Sequence, residues 1–476
     1  MDWFNNEDCS AALVTKGLVG CIRVVPVNEN ILLIPCNGPN TILRIYGRVL
    51  SDARQKTLRN ASRNTGDNME SGRLKIEWAR QYMPVLSRIR EQFAKEQPFA
   101  GIRIGMALHV EAKTAVLVET LVAGGAEVAI TGCNPLSTQD DVSQALNSVR
   151  HVRSYAKRGA TVEEYYAGIN HVLDSRPQIT IDDGMDLIHH LHTARRELLD
   201  SVIGGCEETT TGVHRLRAMA AAGKLEFPVI AVNDTPMKRH FDNVHGTGES
   251  ALSAIMITTN VLIAGKNVVI AGYGFCGKGL SQKMKGLGAQ VIVTEIDPRT
   301  ALQAHMDGHR VMTMEKAASV GDVFITTTGN TSVITEQHFR RMKDGAICSN
   351  AGHFNVEVDV KWLEENAREI TRRDGIDTYR INDRHIHVLA QGRLVNLATP
   401  KGMGHPIEVM DLSFALQALC ARYIVRYGRS LSPAVHEVPT NLDEEVAREK
   451  LAALGLSIDS LTADQIAYMQ SWEIGT

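Results

Sequence analysis

The 476-residue sequence has no run of about 18 apolar residues, so no membrane span is expected. It has no excess of basic charge. The 51 Lys and Arg against 54 Asp and Glu leave a net charge of -3, which argues against nucleic acid as a partner. Its opening, Met1-Asp2-Trp3 with acids close by, lacks the basic start of a secretory signal. There are eight cysteines but no CxxC pair. They read as reduced thiols of a cytoplasmic protein rather than a disulfide framework or zinc site, and no metal is expected. What remains is an ordinary apolar content of 44% and a length that suits two or three domains of about 150 residues each.

One stretch organises the rest: Val268 to Asp297 reads VVIAGYGFCGKGLSQKMKGLGAQVIVTEID. The apolar run Val268–Ala271 predicts a buried parallel strand, and Gly272, Gly274 and Gly277 then form a GxGxxG turn. Leu280, Met284 and Leu287 continue at helical spacing, with Gly286 and Gly288 as stop signals. A second apolar run, Val291–Val293, leads to Glu295. The glycines serve a tight turn, close approach of backbone to a pyrophosphate, and close helix–strand contact. Free N–H groups and the dipole at the helix start favour that anion. Glu295 lies near the spacing of about 20 residues expected of an acid that binds a ribose diol. Its carboxylate would repel a 2′-phosphate, so the cofactor expected is NAD rather than NADP. A lone GxGxxG is weak and often only a Gly-rich turn. The strand, glycines, helix, second strand and acid together carry the reading.

Residues 1–68 form an N-terminal extension of unknown role. It holds three cysteines, a β-like apolar patch at Ile31–Ile34 and a polar stretch from Ser51 to Asn68. The ordered pattern begins at Met69, which is the expected start of translation, with an accessory segment as the alternative. Trp78, Tyr82, Leu86, Ile89 and Phe93 mark one face of a helix from Leu74 to Phe93, kinked at Pro84. Strands predicted at Ile102–Leu108, Glu127–Ile130, Ile179–Ile181 and Val229–Val232, with a helix at Thr114–Leu121, make the first half an α/β layered domain. Further strands at Val323–Thr326 and Ala346–Cys348 extend the dinucleotide unit. A long helical pattern, Val409–Tyr427, returns to the first half. Two more close the chain, one after Asn441 and one opened by Thr462 and Gln465, which fit a capping box.

Polar strings recur where strands end, which is where open α/β sheets place their ligands. Taken singly, each has a plain structural reading. Asp182-Asp183-Gly184 suits a turn, Asp140 and Asp141 suit a helix start, and single histidines are usually not catalysts. Together, STQDD, DDGMDL, EETTTGVHRL, VNDTPMKRHFDN, AGYGFCGKG, VTEIDP, TTTGN, GHFNVEVD, GRLVNL and MGHP, in that order, resemble S-adenosyl-L-homocysteine hydrolase from about Met69 to Trp472.

The resemblance implies an α/β fold of two doubly wound, Rossmann-like domains. Residues 69–248 and 406–440 would bind substrate, 249–405 would bind NAD, and 441–476 would form a short helical segment. It also implies a homo-oligomer, tetramer or dimer, and a small-molecule substrate. In this family the ribose 3′-hydroxyl is oxidised to a ketone by bound NAD. The ketone acidifies the C4′ proton, homocysteine leaves from C5′, water adds, and the ketone is reduced again. Carried over by position, Lys238 and Asp242 would handle the 3′-hydroxyl proton, with His353 bonded to the same oxygen. Glu208 would hold the 2′-hydroxyl, and Asp183 and His109 would move protons at C4′ and at the leaving group or water. His405 would lie beside the base at a closing hinge. Asn243, Thr209, Thr210, Thr211, Glu295, Asn330, Asn350 and Asn396 would contact the cofactor. A lysine near an oxidised nicotinamide is expected to be pushed towards its neutral form.

Two departures bear on the substrate. Where most members carry a threonine and a glutamate that accepts from the adenine 6-amino group, this chain has Glu111 and Lys113. A lysine only donates, which suits the 6-oxo group of an inosyl substrate. The alternative is that Lys113 pairs with Glu111 and touches no base. The second departure is the C-terminus, Trp472 to Thr476, which lacks the lysine and tyrosine of the usual tail. Competing readings are a plain NAD-dependent dehydrogenase and a non-enzymatic regulatory relative.

Overall fold

The computed structural model describes the backbone of residues 10–15, 18–27 and 30–35 and all of residues 68–473. The chain divides into two units, Met1–Asn68 and Met69–Thr476. In the first, β1 (Ser10–Thr15), β2 (Leu18–Val27) and β3 (Asn30–Pro35) pair antiparallel in that order. The apolar patch Ile31–Ile34 falls within β3, and residues 51–67 lie outside the described residues.

The second unit holds two sheets. β4 (Arg103–Leu108), β5 (Glu127–Gly132), β6 (Val152–Ser154), β7 (Ile179–Asp182), β8 (Gly204–Glu207) and β9 (Val229–Ala231) form one of them. The other comprises β10 (Asn267–Ala271), β11 (Gln290–Thr294), β12 (Arg310–Val311), β13 (Val323–Thr326), β14 (Ala346–Asn350), β15 (Glu369–Arg373), β16 (Ile376–Ile381) and β17 (Arg384–Leu389). A late strand, β18 (Val435–His436), joins the first sheet beside β9. The first is wholly parallel in the order β18-β9-β8-β7-β4-β5-β6. The second runs β12-β11-β10-β13-β14-β17-β16-β15, parallel as far as β17 and antiparallel at the β17-β16-β15 edge. Helices cover both faces of the parallel strands, which is why those strands are near-continuous apolar runs rather than alternating ones. The fold is thus two doubly wound α/β layers with a helical C-terminal segment. Strand order reverses at β4, between β7 and β5, and at β10, between β13 and β11. Both reversals open a crevice at the strand ends.

The helix expected to kink at Pro84 is two helices. One covers residues 68–81, and the next spans Pro84–Glu96 with the proline in its first turn. A proline there removes only an N–H that would be unpaired anyway, whereas inside a helix its ring would clash with the preceding turn. The new helix has no side-chain cap of its own. Instead the buried carboxylate of Asp411 accepts from Leu86 N at 2.9 Å and Val85 N at 3.2 Å, and from Lys450 Nζ at 3.0 Å. Asp411 belongs to the helix Ile407–Tyr427, which packs its Phe414, Leu416 and Leu419 into the core of the first sheet. The helix Thr440–Ala453 adds Leu442 and Val446 to that same core. Thr462 and Gln465 make the expected capping box on an exposed last helix, Ala463–Gln470. Among the described residues no helix is long and apolar enough to cross a membrane.

Candidate active site

The C-terminal ends of both sheets line one cleft of about 730 Å³. The first sheet supplies His109 after β4, Asp183 after β7, Glu208 after β8 and Asn233 after β9. The second supplies Gly272 and Gly274 after β10, Thr294 and Glu295 at β11, Thr327 and Thr328 after β13, and His353 after β14.

The glycine turn has the form the sequence predicts. Gly272 holds φ +92°, a left-handed conformation that favours glycine, and a side chain on Gly277 would collide with the Gly272 carbonyl oxygen. Gly277 therefore packs the helix Phe275–Gly286 against the turn and does not itself line the cleft. That helix points its free N–H groups at the opening. Glu295 accepts from Tyr273 N at 2.7 Å and from Ile296 N at 2.7 Å, which fixes its carboxylate at the rim. Thr209, Thr210 and Thr211 line the cleft at the start of the helix Thr210–Ala221. The Thr209 hydroxyl caps that helix by accepting from Gly212 N at 3.1 Å. Asn330 and Asn243 also reach the cleft. This cradle of glycines, helix starts and a rim carboxylate fits a dinucleotide with a free ribose diol.

Two expected cofactor residues lie behind the wall. Asn350 is fully buried and occupied. Its Nδ2 donates to the carbonyls of Gly352, Phe354 and Gly392, and its Oδ1 accepts from Gly352 N and Thr326 Oγ1. It shapes the 351–354 loop and has no bond left for a ligand. Asn396 donates to Ser250 Oγ at 2.9 Å, while its buried Oδ1 has no partner.

The chain leaves Pro236–Lys238 as a π-helix over Arg239–Gly246, whose wider turn makes residues five apart neighbours. Lys238 Nζ accordingly donates to Asn243 Oδ1 at 2.7 Å. It also sits 3.0 Å from Asp242 Oδ2 and 3.5 Å from Glu208 Oε1. Asp242 further binds His405 Nδ1 and accepts from Ser413 Oγ at 2.7 Å. Burial alone would push Asp242 up, but Lys238 and His405 outweigh it and hold the carboxyl well below the usual range. The lysine's own partners favour its charged form. Burial works against its charge, yet Asp242 and Glu208 overcome burial and hold Lys238 above an ordinary lysine. Glu208 accepts from Gln417 Nε2 at 2.5 Å and keeps Oε1 without a hydrogen bond, and burial raises it to about 7.

Opposite stands a second cluster. Asp183 Oδ2 lies 3.5 Å from His109 Nε2, and Asp183 Oδ1 lies 3.3 Å from His353 Nδ1. His109 Nδ1 is 2.7 Å from Ser137 Oγ, and burial lowers the ring to about 4, so it is neutral near pH 7. These three offer ligand atoms within 4.8 Å of one another, a spacing a divalent cation would also accept. Behind them, Asp182 and Glu207 face each other across β7 and β8. Burial raises Asp182 to about 8 and Glu207 well above its ordinary value.

At one corner of the cleft Glu111 is in the lining and Lys113 is not. Lys113 Nζ is 2.8 Å from Glu111 Oε2 and 2.8 Å from the Met403 carbonyl oxygen. The pairing of Lys113 with Glu111, given above as the alternative to a base contact, is therefore present. His405, Met410 and Phe414 close the same corner.

Several residues escaped the sequence reading. Ser413 and Gln417, which hold Asp242 and Glu208, are polar interruptions in an otherwise apolar helix, and that interruption was the available signal. Asn233, which accepts from Asn243 Nδ2 at 3.1 Å, lay within VNDTPMKRHFDN without standing out. Glu207 and Glu357 lay within EETTTGVHRL and GHFNVEVD, but those strings did not single out either acid as buried behind a loop.

A family model described as "S-adenosyl-L-homocysteine hydrolase" matches residues 65–203, and "S-adenosyl-L-homocysteine hydrolase, NAD binding domain" matches 243–402. The S-inosyl-L-homocysteine hydrolase of Methanosarcina mazei is 59% identical over 409 residues, covering 86% of this chain and 98% of that protein. The relative of the same name from Methanocaldococcus jannaschii is 56% identical over 408 residues, covering 86% and 98%. The adenosylhomocysteinase of Halobacterium salinarum is 58% identical over 409 residues, covering 86% and 96%. With the glycine cradle and both polar clusters in one cleft, these matches establish that the chain belongs to the S-adenosyl-L-homocysteine hydrolase family, as a hydrolase with NAD as its cofactor.

Proposed function

We propose that this chain hydrolyses S-adenosyl-L-homocysteine reversibly to adenosine and L-homocysteine, using both clusters in turn. One juxtaposition carries the reading. Lys238, Asp242 and Asn243, fit to move a proton at an alcohol, share a cleft with Asp183, His109 and His353, fit to move protons at carbon and sulfur. Bound NAD supplies a reversible two-electron oxidation at the ribose 3′-carbon. Lys238 and Asp242 handle the proton of the 3′-hydroxyl, and His353 bonds to the same oxygen. Glu208, whose Oε1 lacks a hydrogen bond, takes the 2′-hydroxyl. With a ketone at C3′, loss of the C4′ proton leaves an enolate. Asp183 and His109 manage that proton and the one needed by departing sulfur or entering water. Thr209, Thr210, Thr211, Asn243, Glu295 and Asn330 hold the cofactor. The orphaned Oδ1 of Asn396 is a further acceptor close behind the wall. Residues 69–248 with 406–440 serve the substrate, and 249–405 serve the cofactor. Residues 441–476 make up the C-terminal segment, and the enzyme works in the cytoplasm as a homo-oligomer.

Glu111 supports the adenosyl form, because its carboxylate at the cleft accepts from a 6-amino group. The second reading is S-inosyl-L-homocysteine: Lys113 stands beside Glu111 at that corner and would favour a 6-oxo group if its ammonium turned from the Met403 carbonyl towards the cleft. A buried mismatch of this kind costs about 1–3 kcal/mol, roughly tenfold or more in preference. Homocysteine release from each nucleoside, compared as kcat/KM, tests this. An adenosyl preference of about tenfold is expected, and an inosyl preference reverses the assignment. A plain dehydrogenase would instead accumulate reduced cofactor steadily.

A further inference from the structure

We infer that Arg215 is a positioning residue that clasps the two halves of the cleft together during turnover. The residue projects from the second turn of the helix Thr210–Ala221, the helix whose start carries the cofactor threonines. Its Nη1 donates to the carbonyl oxygen of Gly184 and, at 2.7 Å, to Asp186 Oδ1. Its guanidinium carbon lies 5.5 Å from the centre of the Phe354 ring. Gly184 directly follows Asp183, and Phe354 directly follows His353. A single side chain of the first sheet's layer thus grips the turn that carries one acid of the second cluster. It also covers the ring beside that cluster's histidine, which belongs to the other sheet.

The local geometry gives this grip leverage. Gly184 holds φ +99°, and any side chain there would strike the His353 ring, so the Asp183 turn and the His353 loop already touch. Asp186 is fixed in turn by Tyr165, whose hydroxyl donates to its Oδ2 at 3.0 Å. Arg215 therefore pulls against a fixed anchor. A planar guanidinium can donate in its plane and stack on a ring at once, whereas a lysine ammonium can reach an oxygen but cannot stack. Arg215 touches no lining residue of the proposed chemistry except through Asp183 and His353, so its effect on rate is indirect. Holding Asp183 against His353 keeps the ketone intermediate enclosed until the proton and sulfur steps finish.

This proposal rests on the hydrolase reading, and its test separates the two. Holoenzymes carrying Arg215→Ala, Arg215→Lys, Phe354→Leu and the double change Arg215→Ala/Phe354→Leu are compared with the unaltered protein. The readouts are homocysteine release and reduced cofactor left behind per turnover. Each escape of a ketone leaves one reduced cofactor on the protein, so a loosened clasp raises that residue as well as slowing release. Arg215→Ala should lower kcat about tenfold and raise the residual reduced cofactor, with the melting temperature nearly unchanged. Arg215→Lys should recover part of the rate. Phe354→Leu should show the same leak, and the double variant should be little worse than either single change. A folded Arg215→Ala holoenzyme with unaltered kcat and no residual reduction overturns the clasp, as would fully additive single effects. If the unaltered protein releases homocysteine from neither nucleoside, it is the hydrolase reading that fails.

Discussion

Each half of the cleft holds its ligand loop with one buried glutamate, and the two are wired differently. Glu357, on the cofactor side, uses both oxygens. One accepts from Thr328 N at 2.9 Å and Thr328 Oγ1 at 2.6 Å, the other from Gly329 N at 2.9 Å. Glu207, on the substrate side, takes Gly184 N, Thr209 N and Thr209 Oγ1 on Oε1 and leaves Oε2 with no partner. Burial raises both acids, and at Glu207 the neighbouring Asp182 adds to the rise. The cofactor side thus keeps a solitary acid that shapes a loop. The substrate side crowds Asp182, Asp183, Glu207 and Glu208 at two adjacent strand ends, where burial raises Asp182, Glu207 and Glu208. Pairs of this kind titrate together, which suits a site that must take up and return protons.

The strongest challenge to this contrast is Lys238→Met. If proton traffic belongs to the substrate side, turnover should fall by about 10²–10⁴-fold and no reduced cofactor should appear on mixing with nucleoside. Cofactor content should stay unchanged. A variant that still reduces its cofactor rapidly would move the alcohol chemistry away from this lysine.

Asp182 offers a finer test through pH. Its folded value of about 8 lies above the ordinary 3.8, so the folded state retains a proton that the unfolded chain has lost. Stability from this group is full below about pH 4 and is lost as pH rises towards 8, at up to ~1.4 kcal/mol per pH unit. Urea midpoints of Asp182→Asn should fall less steeply between pH 5 and about pH 8 than those of the unaltered protein. Parallel slopes would mean that the pair holds no such proton.

The smallest effect sharpens the comparison most directly. Glu357→Gln replaces a used acceptor with a donor facing N–H groups and should cost about 1–3 kcal/mol and weaken cofactor retention. Glu207→Gln can keep its amide oxygen on the N–H groups that Oε1 serves and turn its nitrogen to the unpartnered side, and should cost less than Glu357→Gln. Equal losses in denaturant midpoint would erase the difference between the halves.

Much of the cofactor half was legible because its signal is local. One strand, one turn and one helix within thirty residues must fit a dinucleotide, and Gly272, Gly277 and Glu295 each showed their job in sequence. The substrate half was not legible in this way. Its cluster joins His109, Asp183, Glu208 and Lys238 from four separate strand ends, and only the resemblance tied them together. Where a residue's partners decide its role, sequence position misled. Asn350 stands two residues before a matching string yet spends its bonds on backbone groups and the Thr326 hydroxyl. For Lys238, sequence could not show the two carboxylates that close on it in the fold and favour its charge. Lys113 reads as a base contact until the Met403 carbonyl is seen beside it.

The chain passes from the first sheet to the second near Gly246-Thr247 and comes back near Gly404-His405. These two crossings lie against each other, with Thr247 Oγ1 3.4 Å from His405 Nε2 and the His405 ring pressed on Gly246. Two strands of chain side by side make an axle. Any swing of one half against the other turns about that line, and atoms near the line travel least. Asp242 and Lys238 sit beside it, so ligands can come and go at the far rim while the ion pair at the axle keeps its wiring.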